Sequence, residues 1–543
     1  MQRIIGSIAL LSILFVGSAQ SPQKISLALD KASVTDAMEE FSAQTGYRFA
    51  YNPDILRNDH ISVDLRDVSI DKALASTFTN YDYKIRGSYV VLLPKNIKSG
   101  SSERIQSVTV QGEVLEEGTG KKLENVTVYE IINLKPVLTN ASGSYQIDVS
   151  LPEEMTYLAI SKENYQDTVI QVKKNSIWSI SLKPKNEPKE EKENSIFDRL
   201  NNEKVQTHAN NVNLTERRLF HLALTPGLST NGFLSGQFTN KLSFNLIAGY
   251  SYALEGVELG GFLNMERSYV SGTQLSGALN INGDYMSGVQ MAGFSNITMG
   301  YVDGVQMAGF SNHSRNQRGL QMAGALNTAK DVTGTQMSGS VNISTGELTG
   351  VQLSGFLNYT KVLRGVQIGV LNVADSISSG FSLGVVNWLK GGLHHFEVSS
   401  NDITPYNLAF KSGVYPFYTI LRVGVNPHDG QLWDHGMGFG SMHPIKKRGF
   451  IDFEGTYHMI QGLNTSYING VNFEARFQVR VGWKITDHLN VIGGPVLHFY
   501  MLNPNNKEHL SFADRFGKNP LFGSETTEKV SKSWLGYEVA IRF

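Results

Sequence analysis

GVQMAGFSNITMGYVDGVQMAGFSN, residues 288–312, contains one nine-residue phrase twice, sixteen residues apart. On either side the phrase returns at Gly272 (GTQLSGALN), Gly319 (GLQMAGALN), Gly334 (GTQMSGSVN) and Gly350 (GVQLSGFLN). A variant opens at Gly256 (GVELGGFLN), and shorter forms open at Gly365 (GVQIGVLN) and Gly380 (GFSLGVVN). Successive starts lie 16, 16, 16, 15, 15, 16, 15 and 15 residues apart, so residues 256–390 hold nine structural units in one phase.

Within a unit, Val289, Met291 and Gly293 alternate with Gln290, Ala292, Phe294 and Asn296, which is strand periodicity. Turn signals before each phrase (Asp303-Gly304) and in its variable half (Ser344-Thr345-Gly346) divide the unit into two short strands. A membrane hairpin per unit fails on length, because its strands would have about six residues where spanning takes about 9–11. One long strand per unit, in an antiparallel barrel, is the alternative. That arrangement puts equivalent Gly and Asn residues at opposite barrel ends without a reason to keep them. A β-solenoid with one coil per unit stacks equivalents directly and is the favoured architecture.

In that solenoid the Val, Met and Leu column is expected inside, with Gln and Asn ladders outside. Interleaved with phenylalanines, the ladders define a candidate binding face for an unknown extracellular ligand. It comprises Gln274, Gln290, Phe294, Asn296, Gln306, Phe310, Asn312, Gln321, Gln336, Gln352 and Phe356. The competing expectation is that the ladders only hold the stack together. The units resemble surface repeats of bacterial envelope proteins.

The flanks read as barrel. Residues 215–255 supply two strand-like segments, and 391–543 supply longer ones. Phe473, Ala475, Phe477, Val479, Val481 and Trp483 alternate with Glu474, Arg476, Gln478 and Arg480. That is the pattern of a barrel strand with a lipid face and a wet lumen. The closing alternation of Leu535, Tyr537, Val539, Ile541 and Phe543 resembles the assembly signal of outer-membrane barrels.

Residues 1–20 read as a secretory signal, with Arg3 ahead of an apolar run and Gly17-Ser18-Ala19 as the cleavage pattern. Residues 21–95 alternate strand and helix. The stretches "VTDAMEEFSAQTGYRFAYNPDIL", "ISVDLRDVSIDKALASTF" and "YDYKIRGSYVVLLP" resemble the short N-terminal (STN) module of secretins and TonB-dependent signal-transducing receptors. The resemblance implies a periplasmic docking module whose partner is a regulator or another envelope protein. Residues 105–183 read as about seven strands without a helix. Through "VTVQGEVLEEGTGKKLENVTVY" and "LTNASGSYQIDV" they resemble the carboxypeptidase regulatory-like β-sandwich of Bacteroidota outer-membrane proteins, a non-catalytic spacer. Residues 184–214, charged and Pro-containing at their start, read as a linker.

The expected fold is therefore mainly β: a small α/β module, a β-sandwich, and an outer-membrane barrel-like region carrying the repeat. With 48 basic against 49 acidic side chains, no electrostatic case exists for nucleic acid. The absence of Cys excludes disulfides, thiol catalysis and Cys-ligated metals. His394-His395, His428-Asp429 and Asp434-His435 lack metal-site spacing, so no cofactor, metal or catalytic residue is assigned. Residues 194–543 are too few for a plug, the repeat and a receptor barrel of about 22 strands. The expectation is a non-enzymatic surface protein of the outer membrane, in contact with its lipid, that presents the repeat for binding or adhesion and keeps its N-terminal docking modules in the periplasm. The alternative is an envelope sensor whose first module contacts an anti-sigma-type regulator. A carbohydrate-active enzyme lacks a paired-carboxylate signal.

Overall fold

The computed structural model describes residues 24–51, 56, 59–95, 106–151, 156–172, 177–185, 196–428, 432–445, 447–462, 470–505 and 512–543. The signal expected at 1–20, most of the charged run 183–195, and Asp429 lie outside them. The fold is mainly β and contains a β-solenoid of about nine turns, the architecture favoured from the repeat. The chain divides into two compact units, 1–292 and 293–543. Among the described residues no helix is long and apolar enough to cross a membrane.

The first unit opens with the small α/β module. Ser33 caps the helix Val34–Thr45 through a reciprocal box with Asp36, and Gly46 ends it at φ 75°. Val34, Ala37, Met38 and Phe41 face inward at helical spacing and meet Leu27, Leu74 and Phe78. Strands Tyr81–Arg86 and Tyr89–Pro94 form the closing antiparallel pair. The sandwich after it has a four-stranded and a three-stranded sheet, with Val114, Val128, Val149, Leu158 and Ile160 in its core. One buried cluster joins both modules to the first coils: Tyr89 and Val91, Tyr129 and Tyr157, then Leu214, Leu234 and Phe238.

Two sequence expectations change here. The linker 184–214 contains two helices, Ile196–Leu200 and Glu203–Asn211. Asn202 caps the second by accepting from the Lys204 amide at 3.0 Å. Val205 and Ala209, with Phe197, bury Tyr250, Met265 and Ile281 of the first coils. Highly charged neighbours at 183–195 hid this short apolar spacing. Residues 215–255 are also not barrel strands. Glu216–Thr225 pairs parallel with Phe238–Asn245, which pairs parallel with Ala253–Gly260. They are the entry coils of the solenoid, in register with the repeats but without the leading Gly. Alternation is the same in a coil wall and a barrel strand, and only pairing direction separates them.

The second unit continues with coils in strict register, Gly304 opposite Gly319, Gln306 opposite Gln321 and Met307 opposite Met322. After Leu389 the pairing turns antiparallel. Eight strands make up the rest: Leu393–Asn401, Tyr406–Val414, Phe417–Asn426, Leu432–Pro444, Gly449–Gly462, Gly470–Lys484, Asn490–Pro504 and Val530–Arg542. The first and last pair with each other, Glu397 opposite Arg542 and Asn401 opposite Glu538, so the sheet closes into a barrel. The short strand Phe522–Glu525 adds to Val530–Arg542 outside the ring.

Candidate functional site

The repeat is built inside out relative to expectation. Gln274, Gln290, Gln306, Gln321, Gln336 and Gln352 are fully buried, as are Asn296 and Asn312. Of the expected binding face, only Phe294, Phe310 and Phe356 stand outside, at 52, 47 and 55% exposure. The column expected inside, represented by Met291 and Ile368, points outward instead. The amides of the motif half bond along the stacking axis, while Val332, Leu348 and Leu363 of the variable half supply the apolar part of the coil interior.

The Gln column runs backwards along the chain. In the first unit Gln290 Nε2 donates to Gln274 Oε1 at 2.8 Å, and Gln274 Nε2 donates to Glu258 Oε2 at 2.8 Å. In the second unit Gln367, Gln352, Gln336 and Gln321 each donate to the preceding Gln at 2.7–3.0 Å. Glu258 thus occupies the one position that must only accept, and a carboxyl suits it better than an amide. At the far end Ser382 Oγ donates to Gln367 Oε1 at 3.1 Å. The Asn column runs forwards. Asn312, Asn327, Asn342, Asn358 and Asn372 each donate to the next Asn at 2.8–3.0 Å. Each also donates to a backbone carbonyl of the next coil, as Asn342 does to Leu353 at 2.7 Å. The column ends on the barrel, where Asn387 Nδ2 donates to Thr419 Oγ1 at 2.9 Å.

In the entry coils Ser243 Oγ lies 3.1 Å from His221 Nδ1 and donates to Glu258 Oε1 at 3.0 Å. Hydroxyl, imidazole and carboxyl are together, but the hydroxyl stands in the middle and all three are sealed from solvent. A nucleophilic triad needs the imidazole in the middle and the hydroxyl exposed. The cluster is a structural start to the ladder.

Burial pushes the His208 and His221 imidazoles down to about 4. Burial, then the charge of Glu258, raises the Glu266 carboxyl well above its ordinary value. The signs oppose. Each imidazole stabilises the fold above its unfolded value of 6.5 and loses that contribution as pH falls toward 4, about 3 kcal/mol apiece. Glu266 gives full stability only below its unfolded value of 4.5 and loses it as pH rises. The Glu266→Gln variant is therefore expected to be more stable than the native chain at pH 8 and to weaken steadily on acidification. Urea unfolding between pH 4 and 8 checks this, and identical profiles for both chains would refute it.

The barrel interior holds the densest charge in the molecule. Arg480 bonds Glu397, Glu454 and Glu538, each at 2.7 Å, and lies 3.4 Å from Asp452. Arg542 reaches Glu397 at 2.7 Å, and Lys411 reaches it at 2.8 Å. A second group joins Arg476 to Asp434 at 2.6 Å and Glu474 at 2.7 Å, with His498 bonded to Glu474. The side chains of Arg476, Arg480 and Arg542 are fully buried, so ion pairs fill the lumen expected to be wet. No family model, curated protein or solved structure matches the chain.

Outside the barrel the rule inverts. Val398, Met437, Phe439, Phe477, Val479, Val481, Leu535 and Tyr537 are exposed, as alternation required. The remaining sequence candidates disperse. Asp434 and His435 are successive residues of a barrel strand, and Asp434 points inward to Arg476. His394 accepts from the Leu389 amide at 3.2 Å, while His395 sits 3.1 Å from the Phe543 carbonyl oxygen. Among the described residues no group of three or more His, Asp or Glu is arranged to hold a metal ion.

Proposed function

We propose that this is a non-enzymatic integral protein of an outer membrane, anchored by its eight-stranded barrel. The observation carrying that reading is the barrel's inversion: ionised side chains sealed in the centre and a girdle of Phe, Val, Leu, Ile and Tyr around the outside. A water-soluble barrel has the opposite distribution. The ring strands have 9–15 residues, enough to span at the usual tilt. The charged lumen is closed by its own ion pairs, which supports an anchor rather than a pore. The α/β module and sandwich, resembling STN and carboxypeptidase regulatory-like domains, act as a periplasmic docking pair, and the solenoid connects them to the barrel.

The test is electrophoretic. Full-length protein extracted from envelopes in mild detergent is expected to resist high-salt release and to change gel mobility on boiling. Release by salt without a mobility shift would overturn membrane anchorage. A sensing role is favoured by one observation, the buried cluster shared by module, sandwich and entry coil. A displacement at the entry coil would reach the docking surface through Tyr89, Tyr129 and Leu214. Crosslinking of the full chain in its native envelope separates the readings: capture of a membrane-bound regulator at 21–95 supports sensing, and capture of structural envelope proteins alone supports docking.

A further inference from the structure

We propose that the outward wall of the solenoid in the second unit is itself a lipid-contacting surface, continuous with the outer face of the barrel. The inference rests on the membrane reading of the barrel and extends it to the repeat.

Three observations carry it. First, charge is segregated. Residues 293–390 contain ten ionisable Lys, Arg, Asp and Glu residues, and none lies in a Gly-x-Gln phrase or the Phe-bearing turn after it. Asp303, Arg318, Lys330, Glu347 and Arg364 are among those on the variable half. Random placement over a water-exposed surface does not leave one wall of every coil uncharged.

Second, the uncharged wall carries an apolar column that is half-buried to exposed. Met307, Met322, Met337 and Leu353, each half-buried, and the exposed Ile368 stack in one column beside the buried Gln ladder, on the opposite side of the strand, with exposed Phe310 and Phe356 next to it. Phe294 and Phe310 stack at 5.0 Å. Their own coils do not need them inside, because the amide ladders and the buried Val332, Leu348 and Leu363 already fill the interior. From Gly304 to Gly380, coils at about 4.8 Å spacing give the wall a length of about 25 Å, close to the apolar band of an outer-membrane barrel. Exposed apolar patches of such extent mark interaction surfaces, and flexible methionines suit a partner without fixed shape.

Third, the wall does not stop at the junction. Phe381 of the ninth repeat unit meets Phe417 at 5.2 Å, and Phe417 stacks on Phe439 at 5.5 Å. Phe439 belongs to the exposed girdle. Backbone and side chain secure the same joint, with the Asn387 amide donating to Ser412 Oγ at 3.0 Å. An aromatic row therefore passes from repeat to barrel with no charged residue in it, and a partner covering one surface covers the other. A protein partner would end at a polar rim; acyl chains would not.

Because the chain lacks Cys, single thiols report cleanly. Met337→Cys on the wall, Val479→Cys on the barrel girdle and Thr333→Cys on the variable half are each labelled with a polarity-sensitive nitrobenzoxadiazole probe. The full chains are then reconstituted in phosphatidylcholine vesicles, with the boiling-dependent gel shift confirming that each has folded. The expected result is blue-shifted emission, strongly quenched by doxyl-labelled phosphatidylcholine, at positions 337 and 479, with position 333 quenched only by aqueous iodide. Quenching by lipid at 479 but not 337 overturns the proposal and leaves the barrel reading intact. Lipid quenching at neither position removes both. A probe at 337 protected from iodide and lipid alike, in a chain that sediments as a dimer, assigns the wall to a second copy and also overturns the proposal.

Discussion

Arg480→Met is expected to destabilise the barrel by about 3–5 kcal/mol, the usual consequence of removing one partner from a buried ion network. Arg480 lies within 3.4 Å of four carboxylates, those of Glu397, Asp452, Glu454 and Glu538. Methionine fills much of the volume but returns no hydrogen bond. Arg542, Lys411 and Arg422 remain, so the network loses balance rather than all its cations. Arg480→Lys should fall between the two, since one ammonium cannot reproduce a fork spread over several acceptors. A double variant, Arg480→Met with Glu538→Gln, should recover part of the loss by removing a stranded charge. Urea unfolding in detergent, followed by the gel-mobility shift, supplies the cycle. Full stability in Arg480→Met would mean that the lumen admits water and screens its own charges.

The barrel strands were legible as long two-faced strands because Glu474, Arg476, Gln478 and Arg480 alternate with large apolar residues. Their closure at eight strands was not, since Glu397 opposite Arg542 is a pairing across nearly the whole domain. The solenoid was legible from its phase. Its polarity was misread for a physical reason: alternation says which residues share a wall, never which wall is inside. Hydrophobic burial assigned Met and Val to the interior by default. That default fails in the motif half, where buried amides satisfy one another along the stacking axis. Two signals pointed the other way. Every charge of residues 293–390 avoids the motif half. Glu258 also replaces Gln only at the first position of the column, which makes sense for an acceptor ending a buried ladder rather than for a surface variant. The entry coils at 215–255 were missed because they lack the Gly that marks the others, and the helices after residue 195 because they are too short to show a period beside a charged run.

That Gly is the most sensitive position in the repeat. Gly334 has φ 131°, and a Cβ there would stand 2.2 Å from the Gly319 carbonyl oxygen of the preceding coil. Both objections apply at once: the backbone conformation is one that L side chains avoid, and the obstructing atom is main chain. The obstruction cannot be relieved by a rotamer change. Coils would have to separate, yet Gln336 holds Gln321 at 2.7 Å and Gln352 holds Gln336 at 2.8 Å on the same stack. Gly334→Ala therefore sets steric separation against ladder contact, with a buried amide left unsatisfied at a further cost of about 1–3 kcal/mol. The expected loss is about 4 kcal/mol or more, large for a single methyl group and comparable to the most damaging core substitutions. Because each coil is stabilised mainly by its neighbours, the opening should spread over adjacent units while the barrel persists. Hydrogen exchange resolved by residue should show protection lost around 319–350 and retained at 449–484. Thr333→Ala, exposed and one residue away, should leave the pattern unchanged. Native protection around Gly334→Ala would mean that the stack yields easily at this joint, and the ladder would then be an ornament of the coil rather than its clamp.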